Sequence, residues 1–204
     1  MNVGIGRWIS WWARVAPDRD ALVFGGSATS YAALDAQVNR LANALSAQDV
    51  VNGDRVGVLL GNRPEFLIGM FACAKLGAVL VPLNVRLVAS ELEYIVNDAL
   101  PKVVISEAAF TETLSEIAPR LGSVTRFVTV TEGGLGDLYE MFIADAPADE
   151  PEGSASYGPA AICYTSGTTG LPKGAVLTHE GVIAVSLQEI LAFGLASGDR
   201  HLVM

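Results

Sequence analysis

The chain is poor in charge: of its 204 residues, 17% are Asp, Glu, Lys or Arg, while 51% are hydrophobic. So little charge means that much of the chain is buried or sits in strands covered on both faces. The length suffices for one large domain or two small ones. A basic excess is also missing, with 13 Lys and Arg against 22 Asp and Glu and a net charge of −9. That balance speaks against a nucleic-acid partner, which needs a basic patch for phosphate contacts, and against an anionic lipid surface. Cysteine is scarce. Cys73 and Cys163 lie in apolar runs without metal-ligand spacing and read as reduced core thiols of a cytoplasmic protein, with no metal site assigned. No apolar run approaches the roughly 20 residues of a membrane span. The N-terminus "MNVGIGRWISWW" lacks the basic start, apolar block and cleavage site of a signal peptide, and no internal repeat stands out.

What is present is alternation. Trp8, Trp11, Trp12 and Val15 recur at helical spacing before Pro17, which predicts a helix packed on its own core. "ALVF" followed by Gly25 and Gly26 reads as a strand and turn, and Leu34, Val38, Leu41 and Leu45 mark one face of the next helix. From residue 53 onward, "DRVGVLL", "AVLVPLN", "KVVIS" and "TRFVTV" read as strands. The segments between them read as helices, one opened by Asn62 and Pro64 and closed by Gly77, another started by a Ser90/Glu93 capping box. This order predicts an α/β fold whose mostly parallel sheet is flanked by helices. Residues 1–145 form its body, 146–160 ("APADEPEGSASYGPA") a solvated, flexible linker, and 161–204 a strand–loop–strand–helix segment that starts a second sheet. The ending "GDRHLVM" reads like a strand just begun. A sheet interrupted there exposes an edge and an apolar face, so self-association is expected.

Within the last segment lies "YTSGTTGLPKGAVLTH", residues 164 to 179. Phosphate oxygens are bound by inward-pointing N–H groups, by hydroxyls and by positive charge. Gly167 and Gly170 allow close backbone approach, Ser166, Thr168 and Thr169 supply hydroxyls, and Lys173 supplies a flexible charge behind the stiffening Pro172. The Walker pattern requires Gly where Pro172 stands and a hydroxyl where Gly174 stands, and it runs into a helix rather than a strand. Another phosphate loop or a structural turn remain, although a turn needs only two to five special residues and no lysine.

"YTSGTTGLPKG" resembles the signature phosphate loop of the adenylate-forming superfamily, which comprises acyl-CoA and aryl-CoA synthetases, luciferases and the adenylation domains of peptide synthetases. "SYAALDAQVNRLANAL" (30–45) and "FACAKLGAVLVPLNVRL" (71–87) agree in order and spacing, the latter resembling the acyl-CoA synthetase version in its "PLNxRL" ending, and the whole resembles most closely the N-terminal portion of a fatty-acid–CoA ligase. The resemblance implies a two-step reaction. A carboxylate attacks the α-phosphate of ATP with Mg²⁺ present, giving an acyl-adenylate, and CoA then displaces AMP. It assigns the β- and γ-phosphates to Thr165, Ser166, Gly167, Thr168, Thr169, Gly170 and Lys173. The family's adenine-stacking and Mg²⁺-binding segment, its ribose segment and its C-terminal domain with the adenylation lysine have no counterpart in the chain, so the 204 residues alone are expected to be inactive. An aryl or other carboxylate–CoA ligase, or a non-catalytic nucleotide-binding module, are the competing expectations.

Other polar residues read as structural. His179 is expected to cap or pack the following helix, Glu91, Glu93 and Asp98 to form a solvated helix face, and Asn84 and Arg86 to shape a strand end.

Overall fold

A computed structural model describes residues 4–152, 158–166 and 170–202. In chain order the elements are α1 (Arg7–Val15), β1 (Asp20–Phe24), β2 (Ser27–Ser30), α2 (Tyr31–Ser46), β3 (Arg55–Leu59), α3 (Pro64–Leu76), β4 (Val79–Pro82), α4 (Ala89–Ala99), β5 (Val103–Ser106), α5 (Thr111–Ile117), β6 (Arg126–Thr129), β7 (Asp137–Leu138), α6 (Tyr139–Ile143), β8 (Pro159–Thr165), β9 (Lys173–Thr178) and α7 (His179–Phe193). β1 and β2 form a separate antiparallel hairpin. The other seven strands make one sheet in the order β7-β6-β5-β3-β4-β8-β9, in which only β9 runs antiparallel to its neighbour.

The expected α/β architecture follows from alternate burial along the strands. Val103 and Ile105 of β5 join a core with Val38 and Leu41 of α2 and Phe71 and Ala72 of α3. Val104 turns to the opposite face, where Leu92, Ile95 and Val96 of α4 and Leu114 and Ile117 of α5 cover the sheet. Strands buried on both faces have no room for charge, which explains their near-continuous apolar runs.

The strands flanking the glycine-rich loop depart from the sequence expectation. They do not begin a second sheet: β8 lies parallel to β4, with Leu80 opposite Ala161. β8 takes the edge of β4 that β3 leaves open, and an apolar run reveals that a strand is buried but not which strand it will join.

One further expectation is corrected and two are refined. The buried face of α1 consists of Ile9 and Ser10, whereas Trp11 and Val15 are exposed. Trp8 packs against the core, bearing out the expected packing of α1, and the half-buried Trp12 stacks on Tyr31 at 5.4 Å between centroids, with the Arg19 guanidinium over its ring. The capping box shifts as well. α4 starts at Ala89, and the Glu91 carboxylate accepts the Val88 N–H at 3.1 Å, while Glu93 pairs instead with Arg120 at 2.9 Å. Finally, residues 147–150 are largely exposed, as a solvated linker would be, but they are tethered to α2. Asn43 donates to the carbonyls of Pro147 (2.8 Å) and Asp149 (3.0 Å), and Asn39 to that of Ala148 (2.9 Å). Linker composition is blind to such tethers, because their donors stand about a hundred positions earlier. The remainder of that segment, 153–157, lies outside the described residues.

Beneath this strap sits a buried cation. Lys75 of α3 has no exposed surface, and its Nζ donates to Asn39 Oδ1 (2.6 Å), Ser10 Oγ (2.6 Å), Asp35 Oδ1 (2.8 Å) and Glu150 Oε2 (3.3 Å). One ammonium thereby ties α1, α2, α3 and the strap together.

Candidate functional site

β8 and β9 form a hairpin whose last paired residues are Thr165 and Lys173. The loop therefore springs from a mouth with a hydroxyl on one side and a primary amine on the other. Both residues are exposed, as are Ser166, Gly170 and Leu171. Gly170 has φ +112°, a conformation that any side chain would strain. Gly167, Thr168 and Thr169, the centre of the expected phosphate loop, lie outside the described residues. Of the seven expected site residues, the structure brings Thr165, Ser166, Gly170 and Lys173 to one end of the hairpin.

The stem below the mouth is built around two residues to which sequence reading assigned no role in the site. Gly174 pairs with Tyr164 across the hairpin. A Cβ at position 174 would stand 2.7 Å from Ile162 Cγ2 and 3.2 Å from the Tyr164 ring, so glycine is there because these two β8 side chains leave no space. The position that fails the Walker pattern is thus occupied for a packing reason. The Tyr164 hydroxyl in turn donates to the Asp98 carboxylate of α4. Burial, followed by this hydrogen bond and the nearby Asp98 charge, pushes the phenol well above its ordinary range. Asp98 consequently fixes the hairpin stem to the helical layer rather than merely decorating a solvated face.

β4 and β8 are parallel neighbours, so the turn after β4 emerges at the same carboxyl end of the sheet as the loop, the end at which open α/β sheets bind ligands. There Asn84 Oδ1 accepts the Arg86 N–H at 3.0 Å, which shapes the turn as expected. Neither cysteine is paired. Burial pushes the Cys73 thiol up to about 12 and raises that of Cys163 too, so neither is poised as a nucleophile.

His179 opens α7, but the cap is Thr178, whose Oγ1 accepts the Gly181 N–H at 3.1 Å. The imidazole is buried, and neither ring nitrogen has a partner among the described residues. Burial lowers its pKa below the ordinary 6.5. The folded chain therefore binds this proton less readily than the unfolded chain. The resulting stability is present above pH 6.5 and is lost as pH falls below that value toward the folded pKa. Urea midpoints measured across this window should decline on acidification, and His179→Gln should flatten that decline; an equally steep decline in the variant would refute the assignment.

The AMP-binding enzyme family model matches residues 9–204. Feruloyl-CoA synthase of Amycolatopsis sp. is 39% identical over 205 residues, covering 99% of this chain and 39% of that protein. A long-chain-fatty-acid–CoA ligase of Mycobacterium tuberculosis is 38% identical over 177 residues, covering 85% of this chain and 34% of the relative. The solved structure of a Mycobacterium tuberculosis fatty acyl-CoA synthetase superposes with a TM-score of 0.81 at 35% identity, covering 91% of this chain and 37% of that one. The chain thus spans less than two fifths of the length of these proteins, and within that span its fold agrees with that of the solved structure. It belongs to the AMP-binding enzyme family, the adenylate-forming group that its glycine-rich motif resembles.

Proposed function

We propose that the chain supplies the phosphate-binding hairpin of an ATP-dependent carboxylate–CoA ligase. The observation that carries this reading is the hairpin mouth, where Thr165 pairs with Lys173 and Ser166 and Gly170, the latter at φ +112°, flank them. Thr165, Ser166, Gly167, Thr168, Thr169, Gly170 and Lys173 are assigned to the β- and γ-phosphates of ATP. The hydroxyls and backbone N–H groups donate to the oxygens, and the lysine offsets their charge. Holding the pyrophosphate leaving group in this way exposes the α-phosphate to a carboxylate, and the acyl-adenylate then passes its acyl group to the CoA thiol. Phosphoryl chemistry of this kind depends mainly on positioning and charge stabilisation. Mg²⁺, carried with the nucleotide, supplies further neutralisation. The free thiols suit a cytoplasmic, reducing setting. Among the described residues no helix is long and apolar enough to cross a membrane.

The "PLNVRL" segment (82–87) supports a CoA ligase, and the long-chain-fatty-acid–CoA ligase match supports a fatty acid as the carboxylate. The feruloyl-CoA synthase match, which extends over nearly the whole chain, supports an aryl acid as the second reading.

Phosphorus NMR of ATP titrated with the 204-residue chain tests the loop. The β- and γ-resonances should shift or broaden, and Lys173→Ala should abolish most of the change, about a tenfold loss of affinity or more for a charge-assisted contact. An unchanged spectrum, or one indifferent to the substitution, would sink the phosphate assignment. The chain alone should produce no thioester from fatty or aryl acids; turnover would overturn the reading that it contributes only the hairpin.

A further inference from the structure

Toward the loop, little backbone pairing holds the hairpin to the rest of the sheet. β4 and β8 meet at a single register position, Leu80 opposite Ala161, and β4 then ends at Pro82, whose nitrogen has no hydrogen to donate. Ile162 to Thr165 therefore have β9 as their only strand partner among the described residues. Side chains make the remaining connection. Ile162 and Tyr164 pack against the cluster that includes α4, and the Tyr164 hydroxyl donates to Asp98, 66 positions earlier. The same ring lies against the bare backbone of Gly174, where a Cβ would stand 3.2 Å from Cζ. One aromatic side chain thus touches both strands of the stem and ends on a helix outside it. Asp98 stands in the last turn of α4, which carries no basic residue, and a carboxylate there meets the negative end of the helix dipole. The phenol O–H is a donor that offsets this cost.

We propose that Tyr164 is a positioning residue for the phosphate loop, its bond to Asp98 acting as a clasp that fixes the loop mouth before nucleotide binds. The register makes the link direct. Tyr164 pairs with Gly174, and the next pair is Thr165 with Lys173, one residue step or about 3.3 Å nearer the loop. A shift of the Tyr164 backbone therefore moves the Thr165 hydroxyl and the Lys173 ammonium together, relative to the end of the sheet. Charge-assisted contacts to phosphate depend on such placement, and a mouth ordered in advance loses less freedom on binding. Both partners suit a clasp rather than a contact to ligand. Asp98 is an anion that would repel polyphosphate, and the phenol proton is already committed to it. The proposal rests on the phosphate reading for its ligand, whereas the clasp itself is a property of the free chain.

Amide relaxation NMR of the nucleotide-free 204-residue chain and phosphorus NMR of its titration with ATP test the clasp together. In Tyr164→Phe and in Asp98→Ala, the backbone amides of Thr165, Gly170 and Lys173 should gain mobility, and ATP should bind roughly fivefold or more weakly. Asp98→Asn keeps an acceptor oxygen and should restore most of both. Tyr164→Phe combined with Asp98→Ala should be no worse than either alone, since the two remove one bond. Circular dichroism establishes that each variant is folded. A merely structural bond would lower the urea midpoint and leave the folded chain's ATP affinity unchanged. A mouth equally rigid in Tyr164→Phe, an affinity that the substitution leaves unchanged, or an Asp98→Asn variant as impaired as Asp98→Ala would each overturn the proposal. A wild-type chain that ignores ATP would instead sink the phosphate reading, with the relaxation measurement, which needs no nucleotide, still deciding the clasp.

Discussion

Lys75→Met should lower the unfolding free energy by about 3–5 kcal/mol, the cost of removing one partner from a buried ionic cluster. Methionine roughly preserves the length and volume of the lysine stem, so an empty cavity contributes little. What remains is a polar hole. Asp35, whose side chain is only 17% exposed, loses its ammonium, and the buried Asn39 and Ser10 each lose a bond of 2.6 Å. Unpaired groups at such a site carry their full desolvation cost. Glu150→Gln is the matched control. Its carboxylate is 43% exposed and stands 3.3 Å from Nζ, so a loss under about 1 kcal/mol is expected, as for pairs open to solvent. Urea unfolding with an unchanged slope provides the measurement. If Lys75→Met leaves the midpoint where it was, the cluster does not hold the four segments together.

Gly6→Ala should cost about 2–3 kcal/mol through overpacking, although it adds only one methyl group. Gly6 has φ −56°, which any residue adopts, so the cost is steric and not conformational. A Cβ at position 6 would stand 2.8 Å from the Ala74 carbonyl carbon and oxygen and from the Lys75 nitrogen. These are backbone atoms of α3 and cannot rotate away, so α1 must move instead. Moving α1 carries Ser10 with it and lengthens the 2.6 Å contact to Lys75. The two substitutions should therefore be non-additive, and Gly6→Ala should cost markedly less in the Lys75→Met background. Full additivity would show that the close approach of α1 and α3 and the ionic cluster act independently.

Both effects were hidden in the sequence for one reason. "FACAKLG" shows a lysine in an apolar helix, and the general preference places such a lysine on the surface. Its partners Ser10, Asp35, Asn39 and Glu150 are separated from it by 36 to 75 positions, and no local pattern brings them together. The Trp stripe of α1 marked a core-packed helix but not which of its residues would be exposed. Spacing identified a helix and an apolar side, but the tight contact at Gly6 decided which side meets α3. In the same way the spacing of Tyr164 and Gly174 reveals a hairpin stem, but not that the phenol reaches Asp98.

The sequence by itself determined the local grammar of the chain: strand runs alternating with helices, Pro64 at a helix start and Gly77 at its end, and a long polar loop between two strands. These features depend on backbone sterics and on periodic burial, which act between near neighbours. Only the tertiary structure decided that β8 joins β4, that Thr165 and Lys173 share the loop mouth, and that Lys75 lies at the centre of four segments. Those outcomes are choices of partner between elements far apart in the chain. Hydrophobic burial is non-directional, so the same apolar pattern fits several partners until hydrogen-bond edges, a missing Cβ and a buried charge select one.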